Sequence, residues 1–116
     1  MVVNDLTTDT LHAAMRGLAT RQRVIADNIA NMDTPGFLAG RVEFEDSLRR
    51  AVDGGDPAGV TPSTARSLAP TGMNGNNVQL DDETLSNIDT GLRYQVVVEA
   101  MNAKFSLLRT AIGGGR

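Results

Sequence analysis

The residues able to do chemistry in this chain are few. His12 is the single imidazole, and the one acid within a helical turn of it is Asp9. An imidazole and one carboxylate three residues apart, with no nucleophile beside them, read as a surface pair rather than a general-base dyad. Asp81, Asp82 and Glu83 form an acidic run. Calcium loops place oxygens at alternate positions around a fixed glycine and close on a distal glutamate, and this run does neither. Its better reading is negative charge at a helix N-terminus, where the backbone dipole favours it. Gly72-Met-Asn-Gly75 lacks the following Lys-Ser/Thr of a phosphate loop, and no Gly-x-Ser-x-Gly elbow occurs. Arg16, Arg21 and Arg23 are flanked by Asp9 and Asp27 and have no aromatic neighbour for stacking on bases. There is no cysteine, so thiolate chemistry, disulfides and Cys-ligated zinc are excluded. The residues point away from an enzyme.

The remaining question is what the rest of the chain builds. At 116 residues it suits one domain at most. Apolar residues make up 41 %, but aromatics only 3 %, so any core rests on Leu, Val, Ile, Met and Ala. Such a core is thin for a lone chain and leans on partners. The net charge of −3, without a Lys/Arg block, argues against nucleic acid and acidic membrane surfaces. The first ten residues lack the basic and apolar regions of a secretory leader, and no apolar stretch approaches a membrane span. No direct membrane insertion is expected.

Two helical patterns stand at the ends. Leu11, Met15, Leu18, Gln22, Ile25, Ile29 and Met32 alternate steps of four and three, a heptad seam with one polar member. Thr8, Asp9 or Thr10 is the expected N-cap, with any helix before it a short extension. Pro35 disfavours helix at Thr34, and Pro35-Gly36 suits the centre of a type II turn. Arg41 to Phe44 alternates as a short strand would, while Phe44, Leu48 and Val52 would equally share one face of a brief helix. From Asp53 to about Asn77 the chain is rich in Gly, Pro, Ser, Thr and Asn and reads as loop. A long C-terminal helix carries a second seam of Tyr94, Val98, Met101, Phe105, Leu108 and Ile112. Leu85, Ile88 and Leu92 lie on a shifted face, with Gly91 near the change, and Gly113 to Gly115 end the helix before a frayed Arg116. The outer faces keep Val24, Ala26, Val97 and Leu107. The expected fold is all-α: long N- and C-terminal helices packed as an antiparallel coiled-coil hairpin, with a largely irregular middle segment. The divisions are an N-terminal helix (1–32), a turn with a short extended or helical segment (33–52), a flexible loop region (53–80) and a C-terminal helix with tail (81–116).

Leu11-His-Ala-Ala, Arg21-Gln-Arg-Val-Ile-Ala-Asp-Asn-Ile-Ala-Asn and Asp33-Thr-Pro-Gly-Phe resemble the N-terminal signature of the flagellar rod and hook family. Within that family, Gly75-Asn-Asn-Val-Gln-Leu-Asp-Asp-Glu, Tyr94 and Lys104-Phe-Ser-Leu-Leu-Arg-Thr-Ala-Ile resemble its proximal rod members. The likeness covers both ends of the chain and little of the middle. It implies that Asn28, Asn31, Thr34, Pro35, Gly36 and Phe37 form the family turn motif; within it, Asn31 to Phe37 are expected to fix the angle at which the chain leaves its first helix. It implies a structural subunit of a rod in the periplasm or cell-wall zone, transmitting torque to the hook, with no cofactor. Implied partners are other rod proteins, the rod-base adapter, copies of itself and the flagellar type III export apparatus, which takes substrates without a cleaved leader. Early substrates of that apparatus carry a Phe followed four positions on by an apolar residue. Phe44 and Leu48 fit that pattern, as they fit simple packing on one helix face. The rival readings are a cytoplasmic helical-hairpin adaptor or export-associated interaction protein and, more remotely, a small hydrolase.

Overall fold

The computed structural model describes residues 2–113. The expected glycine stop at Gly114 and Gly115 and the tail at Arg116 lie outside the described residues. Helix α1 runs Val2–Ala30, strand β1 Gly40–Glu43, helix α2 Glu45–Asp53, strand β2 Ser63–Arg66 and helix α3 Leu80–Gly113, with a single 3-10 turn at Pro57–Gly59 before β2. The chain is mostly helical, with long helices at both ends and a small two-stranded sheet in the middle.

Helix α1 begins before the expected cap. Thr10 lies inside it, and its hydroxyl donates to the Leu6 carbonyl one turn back at 2.7 Å, the usual use of a threonine with no helix end to cap. The helix stops where Pro35 and Gly36 take over. Phe37 N–H donates to Thr34 O at 3.2 Å, and Gly36 sits at φ +75°, the left-handed position that a type II turn requires at its third residue. Residues 40–53 use both local readings in succession: β1 first, then α2, with Phe44 between them.

Strand β2 falls in the stretch expected to be irregular. It pairs antiparallel with β1 in the register Gly40↔Arg66, Arg41↔Ala65, Val42↔Thr64 and Glu43↔Ser63. All four β2 residues are exposed, so the strand has no buried face and no apolar alternation to announce it. Tertiary pairing supplies what local pattern does not. Arg66 anchors its end, donating to Leu38 O at 3.1 Å with its guanidinium 5.3 Å from the Phe37 ring centre.

The core is small and lies at mid-length. Leu18 from α1, Val42 from β1 and Phe44 are buried together, with Val24, Leu48, Tyr94 and Val97 packed around them. Val24 and Val97, expected on outer faces, therefore face this core. Gly17 admits the Phe44 ring: a Cβ built there would lie 2.5–2.6 Å from three ring carbons. Helix α3 continues through Gly91 without interruption. From Glu83 to Leu108 its covered positions are Glu83, Ser86, Thr90, Gly91, Tyr94, Val97, Val98, Met101, Lys104 and Leu108, which share Tyr94, Val98, Met101 and Leu108 with the apolar seam in the sequence but not Phe105. The Cα extents are 68 × 26 × 14 Å, an elongated slab. Its accessible surface is 7570 Å², against roughly 6,100 Å² for a compact monomer of 12.3 kDa.

Candidate functional site

Two stretches far apart in sequence meet where α1 ends and α3 begins. Asn28, fully buried on the last turn of α1, uses its whole carboxamide. Its Oδ1 accepts Gly40 N–H at 2.8 Å, and its Nδ2 donates to Gly40 O at 3.1 Å and to Glu83 Oε1 at 2.9 Å. Glu83, on the first turn of α3, is 1 % exposed, and its other oxygen accepts Arg41 Nη1 at 3.0 Å. A carboxylate so deeply placed needs such partners, because desolvating it without them is costly. The acid expected as negative charge at a helix start does lie on the first turn of α3, and it is also an internal tie between α1, β1 and α3.

The turn is held from the same side. Asn76 Nδ2 donates to Asn31 O at 2.9 Å and Thr34 O at 2.8 Å, and Gly36 N–H donates to Asn74 O at 2.8 Å. Asn77 Oδ1 accepts Ala39 N–H at 2.7 Å, while its Nδ2 donates to Ser67 O and Ala69 O, each at 3.1 Å. Asn31 and Thr34 brace each other through Thr34 Oγ1 to Asn31 Oδ1 at 3.1 Å. Gly75, at φ +79°, comes so near Gly36 that an added Cβ would be 3.3 Å from the Gly36 Cα. Pro35 stays exposed at the turn's tip and Phe37 is half-buried under Arg66. Asn76, Asn77 and Glu83 were not singled out as ties by sequence. The detectable signal was the Asn-Asn pair directly before a helix, since a buried asparagine at a chain crossing satisfies backbone groups that no regular element pairs.

A second tie holds α2. Arg21 Nη1 and Nη2 grip Glu45 Oε2 and Oε1 at 2.6 and 2.8 Å, and Nη2 also donates to Val42 O at 2.7 Å. The same guanidinium lies 4.9 Å from the Phe44 ring centre. Arg93 on α3 adds a longer contact to Glu45 Oε2 at 3.4 Å and pairs with Asp89 at 2.9 Å. The hydrogen bond from Arg21 holds the Glu45 carboxyl below its ordinary value of 4.5, against the opposing pull of burial, and the paired Arg21 is pushed up. A carboxyl depressed by folding contributes stability that is complete above 4.5 and disappears as pH falls through its lower folded value. In acid, hydrogen exchange is expected to rise first in α2, and Glu45→Gln to remove that part of the pH dependence of Tm. An identical acid profile in the variant would refute the assignment.

The expected seam residues are divided. Leu18, Ile25 and Met101 are buried; Leu11, Met15, Ile29, Tyr94, Val98 and Leu108 are half-buried; Met32, Phe105 and Ile112 are exposed, Ile112 at 87 %. Phe44 is buried on Gly17 and Leu48 is half-buried beside it. A further row on α3, Leu85, Ile88, Leu92 and Val96, is 55–67 % exposed. An open apolar groove runs between α1, α2 and α3, bordered by Ala14, Leu18, Phe44, Leu48, Val52 and Val97. It brings no acid–base pair together. His12 is exposed, and no group of three metal-ligating side chains occurs among the described residues. No helix among them is long and apolar enough to cross a membrane. The arrangement is a set of internal ties beneath uncovered apolar rows.

Residues 9–37 match the family described as flagella basal body rod protein. The chain is 33 % identical over 123 aligned positions to the flagellar basal body rod protein FlgB of Bacillus subtilis (strain 168), covering 95 % of each. It is 29 % identical to the protein of the same name from Escherichia coli (strain K12), over 84 % of this chain and 86 % of that one. A shorter likeness, 46 % over 52 positions, links it to the Borrelia hermsii FlgB, over 45 % of this chain and 38 % of that one.

Proposed function

From the chain's membership of the FlgB family of flagellar basal body rod proteins, we propose that α1 and α3 form an antiparallel coiled-coil hairpin whose uncovered rows join it to other rod subunits. The protein is a structural component of the basal body rod and not an enzyme. Helices α1 and α3 serve as the assembly helices, with the turn, the short elements and the connection between them bracing the pair. The Asn28–Glu83 bond, linking the end of α1 to the start of α3, and the packing of Leu18 with Tyr94 and Val97 support the hairpin. The carrying observation is the set of seam residues left exposed in the single chain, Met32 at 39 %, Phe105 at 49 % and Ile112 at 87 %, on a molecule with roughly 1,500 Å² more surface than a compact one of its mass.

On this reading, copies of the chain, other rod proteins and the rod-base adapter cover those rows, and burial offsets the entropy of ordering. The chain reaches the rod through the flagellar type III apparatus and, once polymerised, carries torque. Asn28, Asn31, Thr34, Pro35, Gly36 and Phe37 set the exit angle from α1. Phe44 and Leu48 serve as the export element in the extended chain and as core once it folds.

The double variant Phe105→Ser, Ile112→Ser tests the reading. Phe105 is 49 % and Ile112 87 % exposed, so stability of the single chain is expected to shift by about 1 kcal/mol or less. Recovery of the variant in purified basal bodies, and swimming, are expected to fall to near zero. Normal incorporation would count against the seam. Finding the wild-type chain only in cytosol would favour a hairpin adaptor instead.

A further inference from the structure

Asn74 is the one asparagine in the chain that is followed by glycine. That pair has its own chemistry. The Gly75 backbone nitrogen can lose its proton and attack the Asn74 Cγ. The new N–Cγ bond forms as the Cγ–Nδ2 bond breaks, and ammonia leaves with a proton from solvent. Water then opens the resulting succinimide at either carbonyl, leaving aspartate or isoaspartate. Glycine permits this because it has no Cβ to obstruct the ring.

In the folded chain both reacting groups are engaged. Gly75 N–H donates to Gly72 O at 3.0 Å, a bond that the nucleophile must give up to lose its proton. Asn74 Oδ1 accepts Asn76 N–H at 3.1 Å, which fixes the carboxamide. The main chain on either side is pinned by Gly36 N–H on Asn74 O at 2.8 Å and by the two Asn76 Nδ2 bonds to Asn31 O and Thr34 O. Ring closure needs rotation about bonds that these contacts hold.

We infer that Asn74 is a site of spontaneous deamidation that the folded junction suppresses and the unfolded chain exposes. The two products differ in their effect. Aspartate keeps an oxygen where Asn76 N–H needs it. Isoaspartate routes the main chain through the side chain: a methylene is added between the Asn74 Cα and the Gly75 nitrogen, and the carbonyl that accepts Gly36 N–H becomes a pendant carboxylate. The turn and α3 then no longer register. Chains that linger unfolded accumulate a lesion that bars them from folding.

The full-length chain is incubated in mildly alkaline buffer, once folded with trehalose and checked for helix by circular dichroism, and once in guanidinium chloride. The tryptic fragment 67–93 is followed by mass spectrometry. Conversion at Asn74 is expected to be about tenfold or more faster in denaturant, as for any group that reacts only from an open state. Asn76→Ala, which loosens the junction, is expected to raise the rate under folding conditions. Equal rates in both solvents, or no conversion in denaturant, would overturn the site; an unchanged rate in Asn76→Ala would overturn the suppression. Asn74→Asp is expected to refold normally and the isolated isoaspartyl chain not to. Refolding of both would overturn the consequence.

Discussion

Asn28→Ala is expected to cost about 3 kcal/mol or more, since it removes three buried hydrogen bonds, one of them to a carboxylate, and leaves their partners unsatisfied at about 1–3 kcal/mol each. The variant loses three hydrogen bonds at once, leaves Gly40 N–H without its acceptor and leaves Glu83 with Arg41 alone. Small domains hold about 5–15 kcal/mol in total, so one with this thin a core is expected to lose most of its helical signal at physiological temperature. A double-mutant cycle isolates the cause. Glu83→Gln keeps the shape of the side chain and removes its charge, so adding it to Asn28→Ala is expected to recover about 1 kcal/mol or more relative to additivity. Strict additivity would mean that the two side chains do not act together. Asn28→Asp, of the same size, sets a like charge against Glu83 and is expected to behave as badly as the alanine.

The second large effect concerns Gly17. Alanine is the better helix former by about 1 kcal/mol, so an exposed glycine replaced in this way would stabilise α1. Here the added methyl meets the Phe44 ring at 2.5–2.6 Å, where carbon atoms prefer about 3.5–4.0 Å. The ring has little freedom to retreat, since Arg21 lies over it and α2 starts at the next residue. Overpacking of this kind costs about 1–3 kcal/mol. Clash outweighs propensity, and Tm is expected to fall by roughly 5–10 °C for a chain of this size. Phe44→Leu frees the space and is expected to make Gly17→Ala nearly harmless. A rise in Tm for Gly17→Ala alone would show that Phe44 packs elsewhere.

What sequence conveyed and what it missed divide along a physical line. The long helices at the ends were legible because Leu18, Ile25 and Met101 recur in a rhythm that the helix itself imposes. Such a rhythm gives the element but not which of two adjacent faces is covered. Phe105 and Lys104 differ by one position, and the half-buried one is the lysine, a residue type able to lay its stem on apolar surface with its charge in water. Strand β2 was invisible because its four residues are all exposed and owe their conformation to β1. The polar ties were half legible. Asn28 stood within a recognisable motif, but its partner Glu83 lies 55 residues away. Charge at a helix start gives no hint of whether it faces water or another helix. Arg21 looked like one member of a flanked basic patch, whereas its partner Glu45 is on another element.

The cross-bracing is unevenly distributed along the slab. Asn28, Asn76, Asn77, Glu83 and Arg41 knit one end, while towards the other the last buried apolar side chains among the described residues are Ala13 on α1 and Met101 on α3. Beyond them α3 continues to Gly113, about 18 Å of helix at the usual rise. In the proposed assembly the subunit would act as a cantilever, clamped at its knitted end and less braced towards its tips. Load entering at the tips would bend them before it strained the clamp, and small differences in spacing between neighbours would be absorbed there.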